Sequence, residues 1–414
     1  MNLVKEKVLS NNILKYLITL IAAAFVAYLA LVLVYLIPSP VIQKNLDKDM
    51  DLIQSHDSYQ QLVPGYKSTQ LDNFTDDVMM SLVSYDGEEG ILKKAAASYH
   101  YDDFPKAKSG KKSYGWYWHG YLVVLKPLFA IMSYTDVITL NGFGVVFSIA
   151  LIICFLVKRA KNSFLLSYLL AIIIIKPITV AMSFQYSTIW YTMHICLLYM
   201  IIKDDGEVIR NLAFILFIQG IVVAFFDLLT YPLPAYGIPV ALGIYVMRQQ
   251  ERDVLFTIKK IVTSGIAFIF GYGGMFAAKI LISFAAAGQG ALDGAMEHLT
   301  MRLSGEGLDQ DISRIDAVMR NLQVLDHLPY RILFFVILAI TIFGVVRDIR
   351  NDGPKAVLGY VPCMLLALLP ILWYFVLANH SHIHYFFTFR NLSVSFAALG
   401  MMALFSVPQQ QQCK

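Results

Sequence analysis

Asp72 and Asp76 stand four apart in Asp72-Asn73-Phe74-Thr75-Asp76-Asp77-Val78-Met79-Met80, so on a helix they would share one face. A paired acidic face near a membrane can supply a general base or hold a cation. Asp72-Asn73 is also suited to cap a helix, because short polar side chains accept the unpaired N–H groups of a first turn and carboxylates favour the positive end of its dipole. Catalysis and capping are both open readings of this pair. Asn73-Phe74-Thr75 also spells a glycosylation sequon, a pattern too short to carry weight alone.

Further along, Ser113-Tyr114-Gly115-Trp116-Tyr117-Trp118-His119-Gly120-Tyr121 gathers aromatic rings around a single histidine. Such rings stack on sugars, and His119 is a donor suited to phosphate. Rings of this kind also anchor a loop at headgroup level, which is the plainer reading of Trp116 and Trp118. Asp227-Leu228-Leu229-Thr230-Tyr231-Pro232-Leu233-Pro234 puts an acid at the end of an apolar run, with Tyr231 in the turn beyond it. An acid at membrane depth is costly and is a functional candidate, unless it lies just outside and caps the turn. Asn379 to Asn391 holds His380, His382 and His384 at alternating positions and ends in Arg390-Asn391. In an extended strand the three would point the same way and reach a metal, but no Cys or acid stands beside them, so with Arg390 they suit an anion such as phosphate better.

Lys176, just before Pro177, and Lys279 are cations inside apolar runs. Either can snorkel outward, and the proline beside Lys176 is a place for the helix to open. Asp102-Asp103 reads as a turn. The 288–328 stretch, with Glu297, His298, Arg302, Glu306, Asp309, Asp311, Arg314, Asp316 and Arg320, mixes signs at helical spacing and reads as a solvated helix pair over the site.

These residues must be positioned by membrane-spanning helices. Of 414 residues 57% are hydrophobic and only 15% are charged, which excludes an ordinary soluble domain. The net charge of +4 sits mostly in short segments between apolar runs and does not point to nucleic acid. A helix needs about 20 residues to cross the hydrocarbon. Runs near that length fall at 13–36, 135–157, 163–184, 186–202, 210–228, 233–247, 261–287, 329–346, 355–377 and 391–407, which predicts an all-α integral membrane protein of about ten transmembrane helices.

Lys158, Arg159 and Lys161, then Lys203, then Arg248, Arg252, Lys259 and Lys260, then Arg347, Arg350 and Lys355 share one side with the N-terminus, and that side is expected to be cytoplasmic. The expected division is residues 1–36 as tail and first helix, 37–134 as an extracytoplasmic loop, 135–408 as a helix bundle, and 409–414 as a cytoplasmic tail. Tyr121 to Met132, about a dozen residues interrupted by Lys126-Pro127, reads as an interfacial helix, since an eleventh crossing would invert every later loop. The candidate residues then gather on the outer face. Cys154, Cys196 and Cys363 lie in apolar runs and Cys413 in the tail, so no disulfide or zinc framework is expected.

A first span, a large outer loop with an acidic motif at Asp72 to Asp77 and an interfacial helix, then many further spans, resembles the C-type membrane glycosyltransferases, called GT-C. The resemblance implies an enzyme that moves a sugar from a polyprenyl-phosphate donor to an extracytoplasmic glycan or lipid acceptor with inversion, a loop carboxylate acting as base. Asp76 or Asp72 would fill that role, with Asp227 in reserve. The acidic motif stands about 35 residues beyond the first span, farther than is usual in that family. Arg390 with His382, His384 or His119 would hold the leaving phosphate, and Trp116, Trp118 and Tyr121 would line the sugar cleft. This reading names no certain cofactor and leaves a divalent metal open, and a bacterial plasma membrane is the expected location. The rival class is a transporter or flippase of a lipid-linked glycan, which predicts internal repeats and broken helices at mid-membrane.

Overall fold

The protein, seen in a computed structural model, is described over residues 2–289, 293, 294, 296, 297, 300 and 312–405, with side chains from residue 13 onward. His298, Arg302, Glu306, Asp309, Asp311 and the expected tail 409–414 lie outside the described residues.

The chain opens with the long helix α1 (Asn2–Val34), which leads into a segment of short elements. These are α2 (Ser39–Leu46), α3 (Met50–Ser55), α4 (Asn73–Ser84), α5 (Ile91–Ala97), a hairpin of β1 (Tyr99–Tyr101) and β2 (Lys111–Ser113), and α6 (Leu122–Phe129). The hairpin pairs Tyr99 with Ser113 and Tyr101 with Lys111. Asp102 and Asp103 form its turn as expected, Asp103 accepting from the Ser109 hydroxyl and Asp102 pairing with Lys112 at 2.6 Å.

The bundle follows as α7 (Tyr134–Lys158), α8 (Leu165–Ile175), α9 (Pro177–Ala181), α10 (Phe184–Ile202), α11 (Asp205–Phe226), α12 (Leu233–Gln249) and α13 (Val254–Ala287). After the 288–311 stretch come α14 (Arg314–Gln323), α15 (Leu328–Asp352), α16 (Val361–Val376), α17 (Ala378–Ile383), α18 (Tyr385–Thr388) and α19 (Ser393–Phe405). Local sequence sets many of the starts. Ser133 and Asp136 form a reciprocal capping box on α7, and Asp204 and Asp253 accept the first-turn N–H groups of Glu207 and Phe256.

Seven helical stretches among the described residues are long and apolar enough to cross a bilayer: Ile13–Val34, Tyr134–Lys158, Asp205–Phe226, Val254–Ala287, Leu328–Asp352, Pro354–Val376 and Tyr385–Phe405. The all-α architecture with several membrane-length helices is therefore as expected. The other three expected spans are helical but differ in kind. The 163–184 run is not one helix: α8 stops at Ile175, Lys176 takes a left-handed conformation (φ 66°), and Pro177 starts α9. Proline disfavours the helical conformation of the residue before it, which places the break. The 186–202 run is α10, a 19-residue helix carrying Thr188, Thr192 and His194 on buried positions. The 233–247 run is the 17-residue α12, buried along nearly its whole length.

The two largest of four hydrophobic clusters among the described residues hold most of the core. One joins α7, α8, α10, α12 and α19 around Trp190, Tyr168 and Met193. The other binds the 37–134 segment, through Met79, Val83, Trp118 and Leu122, to α1, α11 and α13. The α11–α13 crossing is very close. A Cβ on Gly220 would lie 2.2 Å from the Phe268 carbonyl oxygen, and one on Gly271 2.2 Å from that of Phe217. Small residues let helix backbones approach in this way. Gly271→Val is therefore expected to lower the thermal midpoint of the purified protein by several degrees or block its accumulation in membranes; an unchanged midpoint would disprove the close crossing. α13 has 34 residues and so a length of roughly 51 Å at 1.5 Å per residue, well beyond the hydrocarbon thickness of about 30 Å. Its C-terminal half, at Met275, Lys279 and Ser283, is where the 37–134 segment docks.

Candidate functional site

The best-connected polar cluster centres on Tyr186, in the first turn of α10. Its hydroxyl donates to the Gln70 carbonyl (3.2 Å), its own carbonyl accepts from the Tyr231 hydroxyl (2.5 Å), and its ring lies 3.9 Å from the Arg390 guanidinium. Arg390 is fully buried. Its Nε donates to the Ile175 carbonyl (3.0 Å), Nη1 to that of Phe386 (3.1 Å), and Nη2 to the Thr179 hydroxyl (2.8 Å). The Ile175 carbonyl belongs to the last residue of α8, so Arg390 bridges the helix break. A guanidinium has five N–H donors, and three donor bonds here leave part of the set for another acceptor.

Asp72 sits beside this cation at the N-terminus of α4 and is 3% exposed. The cap is real: its oxygens accept from the Thr75 N–H (3.2 Å) and hydroxyl (2.9 Å). Burial pushes its carboxyl up to about 6, while the Thr75 donors and the Arg390 charge pull the other way. Tyr59 and Phe74 stack at 6.3 Å alongside, and Tyr59 meets Phe386 edge-on at 5.5 Å. Both are largely exposed, at 45% and 53%, so Asp72 lies just beneath the surface.

Asp76 is differently placed. Its carboxylate docks α4 onto the start of α10, accepting from Phe184 N–H (3.0 Å), Gln185 N–H (2.9 Å) and the Ser183 hydroxyl (3.3 Å). Burial pushes its carboxyl up and these donors oppose the shift. This carboxylate is engaged as a joint between the loop and the bundle, where negative charge suits a helix N-terminus. Asp76→Asn would turn an amide N–H₂ toward donors, with an expected loss of about 1–3 kcal/mol of stability; denaturation showing no loss would contradict the docking role. Asp77, next along, pairs with His56 at 3.0 Å.

Asp227 is buried at the C-terminal end of α11, where both its oxygens accept from Thr230 N–H, at 3.1 and 3.0 Å. Burial raises its carboxyl to about 6 as well. It shapes the turn that carries Tyr231 to Tyr186. Leu229, left-handed at φ 65°, offers its carbonyl to His380 Nε2 (2.8 Å), and Leu233 N–H donates to Asn391 Oδ1 (3.2 Å). Lys176, at the helix break, places its ammonium 4.7 Å from the Tyr330 ring centroid. Tyr330 in turn contacts Ser68 of the 37–134 segment at 3.2 Å. No carboxylate pairs with Lys176 among the described residues.

Other expected members lie elsewhere. Trp118 is fully buried and donates from Nε1 to the Met275 carbonyl (2.7 Å), so it anchors the loop on α13 rather than lining a cleft. His119 is fully buried, with Nδ1 at 2.8 Å from the Tyr121 hydroxyl and Nε2 at 2.8 Å from the Tyr114 carbonyl. Burial pushes its pKa down to about 3, so it is neutral and has no nitrogen to offer a phosphate. Tyr121 is buried with it, and Trp116 is half-buried against Tyr114. Lys279 does not snorkel: its ammonium bonds the Ala95 (3.1 Å) and Ala96 (2.7 Å) carbonyls at the end of α5.

Of the histidines near the last span, His380 and His382 lie in helix α17 and His384 in the turn that follows it, none in a strand. Residues two apart on a helix point to nearly opposite sides. His380 accordingly reaches Leu229, His382 lies 3.1 Å from Arg320, and His384 stacks on Phe387 at 5.0 Å. Among the described residues no group of three His, Cys, Asp or Glu is placed to hold a metal.

Sequence reasoning missed Tyr186, Gln70 and Thr179, whose partners are backbone atoms or Arg390. It also missed His56, far from Asp77 in the chain. Comparison with protein-family models, with curated proteins and with solved structures returns no match.

Proposed function

We infer that this chain is a multi-pass membrane glycosyltransferase that moves a sugar from a polyprenyl-phosphate donor to an acceptor hydroxyl, with Asp72 as the base. The observation that carries the reading is the joint burial of Asp72 and Arg390, whose charges act on each other, with the Tyr186 and Tyr231 rings against the guanidinium. Burial that holds a carboxyl near 6 makes it a better proton acceptor than an ordinary aspartate while leaving it mostly ionised at neutral pH. Asp76 is the weaker candidate because its oxygens already accept three hydrogen bonds.

In this reading Asp72 takes the proton of the acceptor hydroxyl as its oxygen attacks the anomeric carbon. The bond from that carbon to the phosphate oxygen breaks with its electron pair, and one displacement inverts the configuration. Lys176, which pairs with no carboxylate among the described residues, is the cation best suited to the departing phosphate. Arg390 orders the site and tempers the Asp72 charge. The topology proposed with this activity has ten crossings, both termini on the cytoplasmic side of a bacterial plasma membrane, and 37–134 outside.

The test is transfer of radiolabelled sugar from a panel of polyprenyl-phosphate donors by purified protein. A second reading, a flippase of a lipid-linked glycan, is favoured by the break at Lys176. α8 spans roughly 17 Å by its 11 residues before the break, which suits the broken helices at mid-membrane sites of transporters. Movement of labelled lipid-linked glycan across reconstituted vesicles without any transfer would replace the first reading with the second.

A further inference from the structure

A polar depression of about 230 Å³ opens between α14 and α17, lined by Asp316, Met319, Arg320, Gln323 and His382. It stands apart from Asp72 and Arg390 but shares a wall with their site. Asn321 of α14 donates to the Ser381 carbonyl (2.8 Å) and accepts from the Thr388 hydroxyl (2.7 Å), which fastens the helix to the 378–388 segment. On the far side of that segment the Phe386 carbonyl holds Arg390.

The chemistry of the lining is specific. Arg320 lies 4.1 Å from the Tyr385 ring and its Nη1 lies 3.1 Å from the His382 imidazole, and both Arg320 and His382 line the depression. Burial and the Arg320 charge hold His382 below its ordinary pKa, which leaves it neutral. One positive guanidinium, one carboxylate and two neutral polar side chains give no net charge. An anion would find Asp316 opposing it. Vicinal hydroxyls, each a donor and an acceptor, match alternating donors and acceptors of this kind. The volume falls below the roughly 300 Å³ at which drug-sized pockets begin, which suits a single sugar unit.

We propose that this depression binds one neutral saccharide unit of the acceptor, with Asp316, Arg320, Gln323 and His382 contacting adjacent hydroxyls. Its role as an acceptor subsite rests on the glycosyltransferase reading; saccharide binding itself does not. The experiment is saturation-transfer NMR on the full chain in nanodiscs, with glucose, galactose, N-acetylglucosamine, glucuronate and inorganic phosphate as probes. At least one neutral sugar is expected to bind, about tenfold more weakly to Arg320→Met and to Asp316→Asn. Asp72→Asn should bind it as wild type does. Thermal unfolding checks that each variant is folded, and Gln323→Ala substitutes for one that is not.

Binding confined to glucuronate or phosphate would overturn the proposal, as would no binding at all or binding indifferent to every one of these changes. A sugar that binds and responds as expected, in a protein that transfers nothing from any donor, would leave this subsite standing and remove the glycosyltransferase reading. Transfer without sugar binding here would do the reverse.

Discussion

Asp72→Asn is expected to abolish the proposed sugar transfer while leaving the protein as stable as wild type. The two halves of this expectation separate the two readings of the residue. Asn caps a helix about as well as Asp, and its carbonyl oxygen can still accept from Thr75 N–H, at 3.2 Å in the wild type. A capping role alone therefore predicts a variant with full activity. A base must take a proton, and an amide does not, so a catalytic role predicts a loss of at least about 10²–10⁴-fold.

Stability is expected to hold for a further reason. The carboxyl is raised to about 6 by burial, above its unfolded value near 4, so its contribution is greatest at low pH and is lost as pH rises through 6. Above that pH the buried charge burdens the fold, and a neutral amide relieves it. The same shift fixes the pH profile of transfer. Activity should climb about tenfold per pH unit below 6 and level off above it, since only the ionised form accepts a proton. A variant that transfers sugar at the wild-type rate, or a profile flat between pH 5 and 7, would remove Asp72 as the base.

What could be read from the sequence was whatever local pattern decides. Apolar runs of membrane length gave the all-α class, and the Asp72 cap and the Asp102-Asp103 turn are present because short polar side chains bond neighbouring backbone. The break at Lys176 was only half legible: Pro177 marked the place, but hydropathy is blind to backbone direction and counted 163–184 as one span. The aromatic run misled because residue type does not report burial. Trp118 and His119 look like ligand-binding groups in sequence, yet both are fully buried and hydrogen-bonded inside the joint between the loop and α13. Three alternating histidines suggest a shared direction only in a strand, and the chain there is helical. Tyr186 was unreadable for a different reason: its hydrogen-bond partners are main-chain groups of Gln70 and Tyr231's hydroxyl, which no spacing announces.

Arg390 is where the fold and the site depend on the same atoms. Arg390→Leu is expected to cost about 3–5 kcal/mol, because it strips bonds from the Ile175 and Phe386 carbonyls and the Thr179 hydroxyl in a place that water does not reach. For a protein whose whole stability is about 5–15 kcal/mol, that loss should appear as failure to accumulate in the membrane or a sharply lower midpoint. Arg390→Lys is the informative variant. A lysine keeps the charge beside Asp72, but its three N–H donors radiate from one nitrogen on a flexible stem and do not match three acceptors set around a planar fork. It should fold with reduced stability and let the α8–α9 break loosen, lowering the transfer rate more than donor affinity. Were Arg390 instead a direct phosphate ligand, the same variant would stay stable and raise the donor KM. Thermal unfolding measured beside kcat and KM on one preparation separates the two, and full stability with a raised KM would show that Arg390 holds the donor rather than the bundle.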